Sequence, residues 1–173
     1  MKKVYSIAGV VFNQDRTEVL LIERRDVPVW TLPGGGLEPL ERPEEAVLRE
    51  IQEETGLTVS IARLVGSYAP INRLSRFTQV FECIPIGGAL AISNETRGAK
   101  FFPLNQLPRL IPPPFREWID DAVKNAPPVH KKIDSVTYSA LALNLFSHPI
   151  LVLRFLLARL GCPINTTGVD RVP

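Results

Sequence analysis

Glu50, Glu53 and Glu54 set three carboxylates at helical intervals, an arrangement suited to gripping a cation. On a helix, at about 100° per residue, their carboxylates fall within an arc of about 100°, while Val47, Leu48, Ile51 and Thr55 occupy the adjoining sector. Like charges three and four positions apart cost a helix roughly 0.2–0.5 kcal/mol per pair. Glu50 is therefore mildly unfavourable beside Glu53 and Glu54. A hard divalent cation reverses that sign, because Mg²⁺ and Mn²⁺ prefer oxygen ligands and share a few carboxylates with phosphate oxygens. Ala46, one turn earlier on the acidic arc, leaves room for whatever the carboxylates hold. Charge pattern alone favours a solvated helix face over a metal site, so the wider spacing has to decide.

The elements that must position these acids are also readable. A helix is predicted over residues 43–55, with Pro43 at its first position, Glu44 and Glu45 in the electropositive first turn and Gly56 as its stop. Before it, Gly34, Gly35 and Gly36 follow Pro33 and demand a tight turn or a close approach. Residues 3–12 and 19–22 read as two strands joined as a hairpin through the polar turn 13–17, and residues 29–32 as a short strand. Further strands are predicted at 58–69, 78–84 and 98–102, with 85–88 as a turn and 113–125 as a second helix. Strands on both sides of a helix indicate a mixed sheet with packed helices rather than strict alternation.

From Gly35 the chain reads Gly, five residues, Glu41, seven residues, Arg49-Glu50-Ile51, one residue, Glu53-Glu54, one residue, Gly56-Leu57. This resembles the Nudix box of the Nudix hydrolase family, with every signature position filled. The likeness extends to Val19 through Arg25 and Trp30-Thr31-Leu32-Pro33 before the box, and to Glu95, Phe101-Phe102-Pro103-Leu104 and Leu107-Pro108 after it, from about residue 3 to about residue 125. The resemblance implies an α/β fold, an α/β/α sandwich around a mixed sheet, with the box as loop, helix and loop. It implies hydrolysis of the diphosphate linkage of a nucleoside diphosphate derivative, a small-molecule substrate, with Mg²⁺ or Mn²⁺ as cofactor. By the same resemblance Glu50, Glu53 and Glu54 are metal ligands, the backbone carbonyl of Gly35 is a further one, and Glu41 and Arg49 brace the box. Either Glu53 or Glu95, the latter in a predicted loop over residues 91–98, would be the general base. Two positions depart from the pattern: Leu40, where many relatives carry glycine, and Gly98-Ala99, where related chains often carry a second acid.

Arg49 stands four residues before Glu53 and could reach back to Glu41, the geometry of a brace. For substrate, Arg24 and Arg25 at a strand end could hold a phosphate and Trp30 could stack a base, each with a plain structural reading beside it. A module on the same fold that senses a nucleotide without cutting it is the competing function. The filled box favours catalysis, because a sensor could lose its carboxylates without penalty.

At 173 residues, 45% apolar and 22% charged, the chain sustains one domain with a core, expected at 1–128, and a hydrophobic helical extension at 129–173. Residues 135–153 carry no formal charge, but Asn144, Ser147, His148 and Pro149 interrupt any membrane span. Pro149 divides the run into helices at 136–146 and 150–160, apolar nearly all round, which implies packing on the domain or in a homodimer, with membrane-surface contact through 136–160 as the other covering. Residues 165–173 read as a loose tail. A net charge of +2 and a pI near 8.7 give no footprint for a stable nucleic acid partner. Cys83 and Cys162 match no metal-ligand spacing and are expected to be small buried hydrophobes. Met-Lys-Lys leads into a strand pattern rather than an apolar signal core, so a cytoplasmic protein is expected.

Overall fold

The computed structural model describes residues 6–160, 162 and 164, so residues 3–5 of the first predicted strand and the tail predicted at 165–173 lie outside the described residues. In chain order the elements are β1 (Ser6–Val11), β2 (Glu18–Arg24), β3 (Trp30–Thr31), α1 (Pro43–Thr55), β4 (Leu57–Pro70), β5 (Thr78–Gly88), β6 (Thr96–Pro103), α2 (Phe115–Val123), β7 (Val129–Ile133), α3 (Tyr138–Ser147) and α4 (Pro149–Arg159). One sheet has the order β1-β5-β4-β7, mixed in direction, and a second, antiparallel, has the order β3-β2-β6.

Two apolar layers hold helices against these sheets. Ala46, Val47 and Ile51 of α1 pack with Ile7, Val11, Leu20, Val59, Phe81 and Cys83. Trp118, Ile119 and Ala122 of α2 pack with Val10, Val19, Leu21, Val65 and Val80. β1 and β2 feed both layers, since their successive side chains point to opposite faces. The α/β/α sandwich around a mixed sheet is therefore the architecture found.

β1 and β2 do not form the expected hairpin. Asn13 Oδ1 accepts from the backbone N–H groups of Thr17 and Glu18 at 2.9 and 3.1 Å, so the turn forms. Beyond an isolated bridge between Phe12 and Val19 the strands part: β1 runs parallel to β5, while β2 takes β3 and β6 as neighbours. β1 ends its sheet yet is buried on both faces, and pairing with the distant β5 overrides the local turn signal. Residues 85–88, expected as a turn, instead continue β5 against Leu57–Val59. Past Cys83 β5 no longer has β1 beside it, and an edge strand tolerates Pro85.

The boundary expected after residue 128 meets a strand. Val129–Ile133 pairs in parallel with β4, an edge whose Val-His-Lys-Lys-Ile sequence hides its half-buried alternation behind charges. Near it, Asp121 of α2, 5% exposed, accepts hydrogen bonds from Tyr68 Oη and from the ammonium groups of Lys124 and Lys131. Burial opposes its ionisation, but these donors prevail and hold the carboxyl below the usual range. The helical extension begins at α3, and Val152 of α4 is its buried apolar residue, whereas Leu143, Phe146, Ile150 and Leu153 stay exposed in the single chain. Among the described residues no helix is long and apolar enough to cross a membrane. Cys83 is buried as expected, but Cys162 is exposed.

Candidate active site

α1 begins as its sequence signals require. The Arg42 backbone N–H donates to Glu45 Oε2 at 3.0 Å, Pro43 opens the helix, and Gly56 closes it in the left-handed conformation at φ 75°. Its apolar stripe rests on β1 so closely that a Cβ at Gly9 would stand 2.5 Å from Ile51 Cδ1. Ala46, expected beside the acids, is instead wholly buried in this layer. Seating of the stripe turns the adjoining arc, with Glu50, Glu53 and Glu54, toward the glycine loop.

Gly34 carries φ 149°, and a Cβ there would stand 2.3 Å from the Ile7 carbonyl oxygen, so the loop is pressed on β1. Glu54 is 6% exposed, and its Oε2 accepts from the Gly34 N–H at 2.8 Å. Burial pushes its carboxyl up to about 8, and the charges of Glu50 and Glu95 add to that rise. The Glu50 carboxylate lies over Gly35, where a Cβ would meet its Oε1 at 2.5 Å, and burial raises its pKa against the pull of Arg49. The Gly35 carbonyl accepts from the Ile7 N–H at 2.9 Å and from Ser6 Oγ at 3.1 Å. As a ligand it would have to exchange one of these donors, so in this arrangement Gly35 contributes its missing side chain.

Arg49 is the brace. Its Nε and Nη2 donate to the two oxygens of Glu41 at 2.8 and 3.0 Å, its Nη1 to Glu50 and Glu53 at 3.0 and 3.1 Å, and Nη2 also to the Gly36 carbonyl at 3.3 Å. The hydrogen bonds to Glu41 raise the guanidinium's pKa and lower that of Glu41. Lysine offers one compact ammonium in place of that planar fork. Arg49→Lys is therefore expected to lower turnover about 10- to 100-fold, the range for a group that orients ligands, with the melting temperature little changed. Steady-state kinetics beside a thermal melt checks this. Leu40, at the position where glycine is common, has φ 69° and is wholly exposed, a left-handed residue costing about 1 kcal/mol.

Glu95 reaches this site through a loop whose turn is made by hydroxyls. Ser93 Oγ accepts from the N–H groups of Glu95 and Thr96 at 3.1 and 3.2 Å, and the buried Thr96 Oγ1 donates to the Glu54 carbonyl at 3.1 Å. Arg49, Glu50, Glu53, Glu54, Ser93, Asn94 and Glu95 thus line one cleft of about 320 Å³.

The three residues expected to bind substrate are placed differently. Arg24 donates through Nε and Nη2 to the two oxygens of Asp26 at 2.9 and 2.6 Å, and its pKa is raised by that bond and by Glu54 and Glu95 nearby. It is fixed at the rim of the acidic site by a partner that the sequence reading missed. Arg25 points its Nε at the Ser93 carbonyl, 3.3 Å away, behind the loop. Trp30 meets Phe102 edge-on at 4.7 Å between ring centroids and packs on the α2 layer, as a core-edge aromatic does. The missed signals were Asp26, two residues after Arg24, and the Ser93-x-x-Thr96 spacing of a hydroxyl turn.

Four carboxylates, those of Glu50, Glu53, Glu54 and Glu95, line the cleft beside Arg49, and Glu54 ionises there only against a desolvation cost. That donor set fits a hard dication. Among the described residues no three acids already meet at one point, since Arg49 draws Glu50 and Glu53 to itself. Ligation by either would compete with Arg49.

A family model described as the NUDIX domain matches residues 2–125 of the chain. A Bacillus subtilis protein named as a candidate 8-oxo-dGTP diphosphatase is 35% identical over 137 residues, 79% of this chain and 92% of that protein. An ADP-ribose pyrophosphatase of Methanocaldococcus jannaschii is 39% identical over 111 residues, 61% of this chain and 64% of its own length. A solved NUDIX hydrolase from Nitrosomonas europaea has a TM-score of 0.61 at 20% identity, over 79% of this chain and 97% of that one, a likeness of fold alone.

Proposed function

Because the chain belongs to the Nudix family of hydrolases, we infer that its cleft cuts the diphosphate linkage of a nucleoside diphosphate derivative. The observation that carries this reading is the convergence of α1 and the Ser93–Glu95 loop on one cleft lined by four carboxylates and Arg49. The names of the two relatives support the substrate class, since both denote hydrolysis of a phosphoanhydride bond on a nucleotide.

Glu50, Glu53 and Glu54 would hold Mg²⁺ or Mn²⁺. When bound, such a cation neutralises phosphate oxygens and acidifies water beside them. In the hydrolysis a water oxygen bonds to phosphorus as the bridging P–O bond breaks, and the released proton passes to a carboxylate. Glu53, 60% exposed, or Glu95, across the cleft, would accept it. Glu54 is too buried to exchange protons freely with solvent and serves as a ligand. Arg24, pinned by Asp26, would turn its remaining N–H donors to a phosphate oxygen. The extension would pack on the domain or on a second copy, with a membrane surface as the other covering, and a cytoplasmic setting suits a nucleotide substrate.

Purified chain assayed against ADP-ribose, 8-oxo-dGTP, a nucleotide sugar, a dinucleoside polyphosphate and capped RNA tests this reading. At least one is expected to release a nucleoside monophosphate with Mg²⁺ and none with a chelator. Tight binding without turnover across the panel would make the chain a sensor instead.

A further inference from the structure

One side chain of the C-terminal helical pair reaches back to the catalytic loops. Arg154 of α4 donates from Nε to the Asp26 carbonyl at 2.7 Å and from Nη2 to the Arg25 carbonyl at 3.0 Å. The segment it grips has two further attachments. Arg25 donates its backbone N–H to the Glu95 carbonyl at 2.9 Å and its Nε to the Ser93 carbonyl at 3.3 Å. Asp26 accepts from the Nε and Nη2 of Arg24. Ser93 and Glu95 line the cleft, so an unbroken series of hydrogen bonds runs from α4 to the wall facing the acids of α1. Arg154 also donates to the Ile164 carbonyl, and buried Val152 seats the same helix.

We propose that Arg154 is a positioning residue for the active site, setting Glu95 and Arg24 against the carboxylates of α1 by clamping the Arg25–Asp26 turn. The inference rests on the reading of the cleft given above, and it goes beyond it, because Arg154 lies outside the residues 2–125 that the family model matches. A rigid guanidinium fork holds the carbonyls of two successive residues together in one turn conformation, which a flexible ammonium cannot do. Surface loops otherwise open at little cost, and a misplacement of about 1 Å in a site is enough to lower a rate substantially.

The test compares the full chain with Arg154→Ala, Arg154→Lys and, as a control on the same helix, Leu153→Ala, whose side chain is exposed. Two readouts are taken: kcat and KM on whichever panel substrate the wild type cleaves, and hydrogen exchange at the amide of Arg25, which donates to Glu95. Arg154→Ala is expected to speed exchange there and to lower kcat/KM, each on the order of tenfold, with Arg154→Lys intermediate and Leu153→Ala like wild type. Unchanged exchange in Arg154→Ala overturns the proposal whether or not a substrate is known. So does faster exchange with kcat/KM within about twofold of wild type, or an equal effect from Leu153→Ala. A wild type that cleaves nothing overturns the reading of the cleft instead, and the exchange result still decides the role of Arg154.

Discussion

Glutamine in place of Glu54 is expected to lower turnover on the order of a thousandfold, the scale seen when a group that stabilises charge in an active site is removed. The reason lies in where the carboxylate sits. Glu54 is 6% exposed, fixed by the Gly34 N–H, and pushed up to about 8 by burial with Glu50 and Glu95 beside it. An acid in that position costs stability when ionised, and a dication removes the cost. Glutamine keeps an oxygen to accept from Gly34 and has no charge to give a metal, so the fold should survive while the chemistry does not. Indeed, with its pKa pushed up to about 8 Glu54 takes up a proton on folding in neutral metal-free buffer, and glutamine is spared that cost, so the melting temperature there should stay level or rise slightly. Kinetics with Mg²⁺ and a thermal melt without it check both halves. Turnover within tenfold of wild type would take the ligand role away from Glu54.

The largest expected effect on stability comes from Gly34→Ala, which should cost about 3 kcal/mol. At φ 149° an L-residue is strained, and the new Cβ would stand 2.3 Å from the Ile7 oxygen and 2.7 Å from the Ala8 Cα. Both neighbours are backbone of β1, a buried strand held by its pairing with β5, so neither can move aside cheaply. For a chain of this size the loss corresponds to a fall of about 6–12 °C in the melting temperature. Gly9→Ala makes the informative comparison, because its Cβ meets the tip of Ile51, a side chain that can rotate, and should cost less. Activity should fall in Gly34→Ala beyond what unfolding explains, since the displaced N–H is the one that holds Glu54. Calorimetry together with activity measured well below the melting range separates these. Equal melting temperatures for wild type and Gly34→Ala would mean that the loop is not pressed on β1 as described.

Arg49 and Arg154 illustrate two ranges of positioning. Arg49 acts within the box, joining Glu41, Glu50 and Glu53, and both its partners and its distances follow from spacing along one helix and one loop. Arg154 acts from 128 residues beyond Asp26, through backbone carbonyls that any residue would present. No pattern in the chain marks such a bond.

The acidic helix, its caps, its apolar stripe and the arginine that ties Glu41 to it are legible in the residues alone, because each depends on positions within one or two turns of one another. Proline and glycine at the ends, and charges at helical spacing, carry their consequence locally. Contacts between distant segments set the rest. Parallel pairing sent β1 to β5 and undid the expected hairpin, β7 joined the sheet under a charged sequence, and Ala46 went into the core rather than the cleft. Tertiary structure also brought Glu95 opposite the helix and gave Arg24 to Asp26, Trp30 to Phe102 and the 25–26 turn to Arg154. Such partners are selected by which faces are buried against each other, and that choice is made only when distant segments meet.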